Sequence, residues 1–281
     1  MTYKNLLKLA EKDIEKVGLE VDVAKFLLMH YADISVQELY LRLNQEVGPH
    51  LQDQFNEGLS LYINEKRPLQ YITGKQSFYG HEFYVNSDVL IPRWETEELV
   101  EMLVIYVDTH FSDKNINILD IGTGSGCIGV TLSKETYNST VVATDISEKA
   151  LKVAQKNSEK LEANVKFLHG DLFEPVKNMK FDMIVSNPPY IPDGEEIGPT
   201  VIHEPEVALY GGDKGLDFYE RIIRESVDYI KPNGLIAFEH AYNTKSELHE
   251  LALKYYPKAS VMQFQDLSKR DRFTFIEVGE F

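Results

Sequence analysis

The sequence predicts an α/β protein: a mostly parallel sheet with one antiparallel edge hairpin, preceded by a small helical bundle. Three observations carry this. Residues 1–70 show only helical periodicity, beginning with Leu6, Ala10, Ile14 and Val17 on one face. Further on, apolar strand-like runs alternate with helical segments, the pattern of strands joined by crossover helices and covered on both faces. The last two runs, SVMQFQDL and RFTFIEV, are joined by a connection too short for a crossover, so they pair antiparallel at one edge.

In the first part a second helix begins after Asp22, and Ser35 with Glu38 forms a capping-box pattern for a third. Leu51, Phe55, Leu59 and Ile63 mark a fourth, which stops before Arg67-Pro68 because a proline disfavours helix in the residue before it. QSFYGHEFYV flanks Gly80 with aromatic residues and reads as a β-hairpin. Helix ETEELVEMLVIYV then leads to strand INILDI, a glycine-rich turn and a helix. Strand TVVATD, helix EKALKVAQKNSEKL and strands VKFLHGD and FDMIVS follow. Helix FYERIIRESVDYI, a turn at KPNG, strand LIAFEH and helix SELHELALKYY precede the final pair. The expected domains are a helical docking domain at 1–70, a hairpin linker at 71–88 and an α/β domain at 89–281. The segment from Ile191 to Leu216 carries Pro192, Pro199 and Pro205 without periodicity. A loop of that length in a compact domain reads as a substrate loop.

The chain has 281 residues, enough for about two domains. Its formal net charge is −16, which disfavours extended nucleic-acid binding and reads as a solubility feature. Cys127 is the only cysteine, so neither a disulfide framework nor a thiolate zinc site fits within one chain. The histidines form no ligand pattern, and no metal is expected. The N-terminus MTYKNLLKLAEKDIEK lacks the apolar core of a signal peptide, and no apolar run is long enough for a membrane span. The expected address is the cytoplasm, and a monomer is expected.

LDIGTGSGC places Gly122, Gly124 and Gly126 between a strand and a helix that starts near Cys127. Such glycines let the backbone turn sharply and approach a ligand at the carboxyl end of a strand. No Lys-Ser/Thr pair follows, as a Walker loop requires, and the last glycine does not fit the dinucleotide spacing. Asp145 closes the next strand, where a carboxylate accepts ribose hydroxyls. Asp171, after the following strand, is placed for an adenine amine, with Leu172 beside it to pack on the ring. One glycine turn and two strand-end acids describe an adenosine pocket without a phosphate cradle. That suits S-adenosylmethionine, a sulfonium that carries no phosphate.

SNPPYIP ends a buried strand abruptly, because proline does not continue a central strand. A planar amide or arylamine nitrogen is a weak nucleophile and must pyramidalise as a methyl group arrives. Acceptors aimed at its N–H groups stabilise the charge that develops. The Asn187 side-chain oxygen and the Pro188 carbonyl are the candidate acceptors. Pro188 and Pro189 fix the backbone and remove competing donors. Tyr190 is placed to stack on the flat acceptor. This reading does not choose between glutamine amides and adenine amines.

The order DIGTGSG, TDIS, GDLF, SNPPYI resembles the class I methyltransferases, whose sheet is Rossmann-like. RPLQYITG, FYGHEFYV, VLIPRWETEELVE, SNPPYIP, HEPEVALYGGDKGLDFYERII and PNGLIAFE closely resemble the release factor glutamine methyltransferases, nearly without a gap from Arg67 to Glu239. The resemblance implies methyl transfer from S-adenosylmethionine to the side-chain amide nitrogen, N5, of the Gln in the Gly-Gly-Gln motif of peptide-chain release factors. It implies that Gly122, Thr123, Gly124, Ser125 and Gly126 wrap the methionine end of the cofactor and that Asp145 holds the ribose. Asp171 and Leu172 would flank the adenine. Asn187, Pro188, Pro189 and Tyr190 would bind the substrate, with Asn187 also beside the cofactor. The helical domain would grip the release factor, and Glu204-Pro205 would line the approach. The sequence departs from the family at HAYNTKS after Glu239, where Ile-Gly and Gln are usual, and at Trp94, where a second proline is common. An adenine methyltransferase acting on DNA or RNA shares the NPPY turn and is the alternative. A non-catalytic module on the same scaffold is a third reading, disfavoured by the intact turn, acids and NPPY.

Overall fold

A computed structural model describes residues 1–279. It separates into two compact units. The first is Met1–Lys75 with Ile197–His203, and the second is Gln76–Glu196 with the described chain from Glu204 onward.

The first unit holds α1 (Tyr3–Lys16), α2 (Val23–Ala32), α3 (Val36–Arg42), α4 (Pro49–Glu65) and α5 (Leu69–Thr73). Leu6, Ala10 and Ile14 of α1 meet Leu27, Leu28 and Phe55 in one buried cluster, as their spacing requires. Ser35 and Glu38 form the reciprocal capping box at the start of α3. The sequence predicts four helices here, and the structure has a fifth. With five residues between Pro68 and a left-handed Gly74, α5 is too short to show a periodic pattern.

Strands β1 (Lys75–Phe78) and β2 (His81–Tyr84) form the hairpin. Its Tyr79-Gly80 turn has φ of 49° and 75°, the left-handed pair that a two-residue hairpin turn favours. Phe78 and Phe83 are fully buried edge to face and belong to the core of the second unit.

The second unit continues with α6 (Trp94–His110), β3 (Ile116–Ile121), α7 (Cys127–Glu135), β4 (Ser139–Asp145), α8 (Glu148–Lys160), β5 (Val165–His169) and β6 (Phe181–Ser186). It ends with α9 (Asp217–Ser226), β7 (Ile230–Glu239), α10 (Lys245–Tyr255), β8 (Ser260–Gln265) and β9 (Asp271–Glu277). The seven-stranded sheet runs in the order β5-β4-β3-β6-β7-β9-β8. The first five strands are parallel, and β9 is antiparallel to both β7 and β8. Successive strand residues feed opposite faces. Ile118, Val141 and Met183 pack under Leu99 and Leu103 of α6, while Leu119, Val142 and Ile184 pack under Tyr219 and Ile222 of α9.

At KPNG the sequence predicts a turn with a strand from Leu235. Instead α9 stops at Ser226 and β7 already begins at Ile230. The register against β6 steps from Phe181↔Ile230 to Met183↔Leu235, with Asn233 at φ 60°. The turn residues form a bulge inside the strand, where the missing N–H of Pro232 costs no ladder bond. Among the described residues no helix is long and apolar enough to cross a membrane.

Candidate active site

The sheet register assembles the site. Ile121 of β3 lies opposite Thr144 of β4 on one side and Ser186 of β6 on the other. Ser186 lies opposite Phe238 of β7, and Asp145 opposite His169 of β5. One residue further along, Gly122, Asp145, Asn187 and Glu239 therefore emerge together at the carboxyl edge. Strand order reverses between β3 and β6, so this is the switch point at which open α/β sheets leave a crevice.

Gly122, Gly124 and Gly126 all have left-handed φ, at 70°, 54° and 84°. A Cβ on Gly122 or Gly124 would meet nothing within 4 Å, so the turn fronts open space. Gly126 differs, since a Cβ there would press on Ala154 of α8. Asp120 lies fully buried beneath the turn. Its Oδ2 accepts from Thr123 Oγ1 at 2.6 Å and Gly129 N at 3.0 Å. Burial pushes its carboxyl up to about 6, and its Oδ1 has no hydrogen-bond partner among the described residues. Asp145 accepts from Gly124 N and Ser147 N, each at 2.8 Å. Burial raises its carboxyl above the ordinary range despite those bonds.

A cavity lies over these groups. Of the residues the sequence singles out, Gly122, Thr123, Gly124, Ser125, Asp145, Asp171, Leu172, Asn187, Pro188 and Pro189 line it. Gly126 and Tyr190 do not. Gly126 caps α7 and packs on α8. Tyr190 packs against the apolar layer on the α9 side of the sheet, and burial pushes its phenol up to about 12. Asp171 Oδ2 accepts from Arg221 Nη2 of α9 at 2.6 Å. Thr144 also lines the wall, and its buried hydroxyl has no partner among the described residues. Cys127 does too, and burial pushes its thiol up to about 12.

The NPPY turn is tied down from several sides. Ser186 Oγ donates to Ile121 O at 2.7 Å. Ile191 N donates to Leu209 O at 2.9 Å, and Gly211 N to Ile191 O at 2.8 Å. Gly211 presses on the Pro189 carbonyl and Gly215 on the Tyr190 carbonyl, leaving no room for a Cβ at either. Ile191 and the stretch from Leu209 to Gly215 are thus built onto the turn. Its Glu204 is buried and accepts from Ile91 N at 3.0 Å and Arg93 Nη2 at 2.5 Å. Pro205, Val207 and Ala208 beyond it line the cavity. Asn187 Nδ2 donates to Thr96 Oγ1 at 3.3 Å, and Thr96 Oγ1 donates to Glu239 Oε2 at 2.7 Å.

Sequence reasoning missed Asp120, Thr96 and Glu239. Asp120 and Glu239 carry a readable signal, an acid at the carboxyl end of an apolar run in INILD and LIAFE. Thr96 carries none, since it sits in a charged helix start.

A family profile described as the Methyltransferase small domain matches residues 100–265, and one described as the PrmC N-terminal domain matches residues 5–74. A release factor glutamine methyltransferase of Bacillus cereus is 36% identical over 99% of this chain and 100% of its own length. The chain belongs to the release factor glutamine methyltransferase family. A second member, from Bacillus subtilis, is 39% identical over 96% of each chain. A solved methyltransferase from Pyrococcus furiosus superposes with TM-score 0.54 at 21% identity, covering 72% of this chain and 91% of that one, which places the sheet in the methyltransferase fold. In this family member the glycine turn, the strand-end acids and the NPPY turn share one edge of the sheet because register puts them there.

Proposed function

We propose that this methyltransferase transfers the methyl group of S-adenosylmethionine to the side-chain amide nitrogen, N5, of the glutamine in the Gly-Gly-Gln motif of peptide-chain release factors. The observation that carries it is the family match along the whole chain together with an NPPY turn that emerges beside the glycine turn. The residues present fit the cofactor. Open space fronts Gly122 and Gly124, where a ligand can approach the turn backbone. In the cavity wall Asp88 is paired to Lys149, Asp171 to Arg221 and Arg93 to Glu204, which leaves Asp145 as its carboxylate without an ion-pair partner among the described residues. That charge pattern suits a cationic ligand without phosphates.

Gly122, Thr123, Gly124, Ser125 and Gly126 would form the cradle for the methionine end, Asp145 would hold the ribose, and Asp171 with Leu172 would flank the adenine. When bound, S-adenosylmethionine supplies an electrophilic methyl carbon and leaves as S-adenosyl-L-homocysteine. Asn187 Oδ1 and the Pro188 carbonyl accept the two N–H bonds of the substrate amide and stabilise the positive charge that grows on its nitrogen. Pro188 and Pro189 hold that pair of acceptors rigid, and Tyr190, packed behind the cavity wall, backs the turn that presents them to the flat amide group. No strong base is needed, because the alkylated nitrogen is acidic and releases its proton to water. Asn187 and Pro188 are thus the catalytic residues of this reading, with Tyr190 a positioning residue behind them. The helical unit grips the release factor, and the enzyme works as a cytoplasmic monomer without direct nucleic-acid binding.

Incubation with labelled cofactor and either a release factor or DNA and RNA tests the reading. Label is expected in the release factor, and Asn187→Ala should lower turnover by about 10²–10³. Label in nucleic acid and none in the release factor would overturn it in favour of adenine methylation.

A further inference from the structure

Asn187 is useful to an amide nitrogen only in one of its two orientations. Its terminal torsion is roughly two-fold, so the carbonyl and the NH₂ exchange places at little intrinsic cost. The wrong choice sets donor against donor. Something must decide which end faces the cleft.

Strand register and two hydrogen bonds decide it. Glu239 ends β7 beside Asn187, because Ser186 and Phe238 are paired in register. Thr96, in the first turn of α6, sits between the two side chains, and it and Glu239 are each only 2% exposed. A threonine hydroxyl has a single proton. Thr96 gives it to Glu239 Oε2 at 2.7 Å, so toward Asn187 its oxygen is left as an acceptor. The only donor Asn187 offers is Nδ2, and it lies 3.3 Å from Thr96 Oγ1. Nδ2 is therefore turned inward and Oδ1 outward.

On the methyl-transfer reading given above, we infer that Thr96 and Glu239 are positioning residues that set the amide orientation of Asn187 and so make it an acceptor for the substrate nitrogen. Neither touches the reacting atoms. Both act through Asn187. Glu239 is held in place from its backbone as well, where its carbonyl accepts from Tyr219 at 2.9 Å.

The relay has a proton dependence. Ionised Glu239 can only accept. Protonated Glu239 can donate to Thr96, which then frees the Thr96 proton for Asn187 Oδ1 and reverses the amide. Burial pushes the Glu239 carboxyl up to about 7, against the opposing pull of Thr96, of Arg272 and of a hydrogen bond from Asn187 itself, which turns Nδ2 inward as well. The other groups that face it are Glu95, Arg272, Tyr190, Tyr219 and Cys127. Burial holds the two phenols and the thiol above their ordinary ranges, and it lowers the neighbouring His240. Orientation should therefore follow Glu239 ionisation, with turnover rising as pH passes through the neutral range.

Methylation of a release factor by wild type, Thr96→Val, Thr96→Ser and Glu239→Gln tests this, alongside cofactor affinity by calorimetry and melting temperature. Thr96→Val should lose roughly tenfold or more in kcat, with KM and cofactor affinity within about twofold, and Thr96→Ser should recover most of it. In the wild-type protein the Asn187 side-chain NH₂ resonances should titrate near neutral pH by NMR, and Glu239→Gln should abolish that titration. If Thr96→Val does not fold, the serine variant and the Glu239→Gln titration still decide. Wild-type turnover in Thr96→Val, or unchanged Asn187 titration in Glu239→Gln, would overturn the relay while methylation by the wild type stands. A wild type that labels no release factor removes the reaction itself and the relay with it.

Discussion

Asp145 shows how one carboxylate serves both fold and ligand. Each of its oxygens already accepts a backbone N–H, from Gly124 and from Ser147, and each keeps a further lone pair toward the cavity. Asp145→Asn places an NH₂ group against one of those N–H donors and removes a charge. Its cofactor affinity should fall at least about tenfold by calorimetric titration. Asp120 carries a separate, pH-linked cost. Its folded carboxyl lies at about 6, above its unfolded value of 3.8, so the folded state binds more protons between those limits. Stability from this group is intact below the unfolded value and is lost as pH rises toward 6. Asp120→Asn, which keeps an acceptor for Thr123 and Gly129, should gain on wild type by on the order of 3 kcal/mol between pH 4 and pH 7. Urea unfolding at the two pH values measures it, and an equal difference at both would refute the assignment. Both acids stand at strand ends in the sequence, and that signal alone does not assign them different roles. Asp120 and Asp145 look alike in the sequence, and the backbone fold under the turn decides that one faces the cavity and the other the core.

At the scale of elements, the strand ends and the segment after NPPY work together. Gly211 and Gly215 exist to let that segment lie on the turn backbone. Gly211→Ala drives a methyl group into the Pro189 carbonyl. It should cost about 1–3 kcal/mol by denaturant unfolding and lower methyl transfer while leaving cofactor affinity within about twofold. Loss of cofactor binding in equal measure would show that the two halves of the site are not separable. The alternating strands and helices, the edge hairpin and the α3 cap were all legible from periodicity and capping chemistry. The KPNG bulge was not, because proline and glycine announce a turn and only pairing with β6 shows that the strand runs through it. Helix α5 was illegible for want of length. Thr96 was illegible because its partners Asn187 and Glu239 lie far away in the chain.

Taken as a whole chain, the molecule has 281 residues, a net charge of −16 and a single sulfhydryl. That sulfhydryl, Cys127, lines the cavity that would hold the methyl donor. A thiolate there would be a better nucleophile than any amide. Burial, reinforced by the charges of Asp120 and Glu239, keeps Cys127 protonated with its ionisation pushed up to about 12. A thiol held protonated in this way is expected to resist methylation by the donor. Prolonged incubation with S-adenosylmethionine and no substrate should leave Cys127 free of methyl by peptide mass spectrometry, and iodoacetamide should label it only after unfolding. The burial that gathers Asp120 and Glu239 around the site thus predicts a sulfhydryl that stands beside a methylating agent without reacting with it.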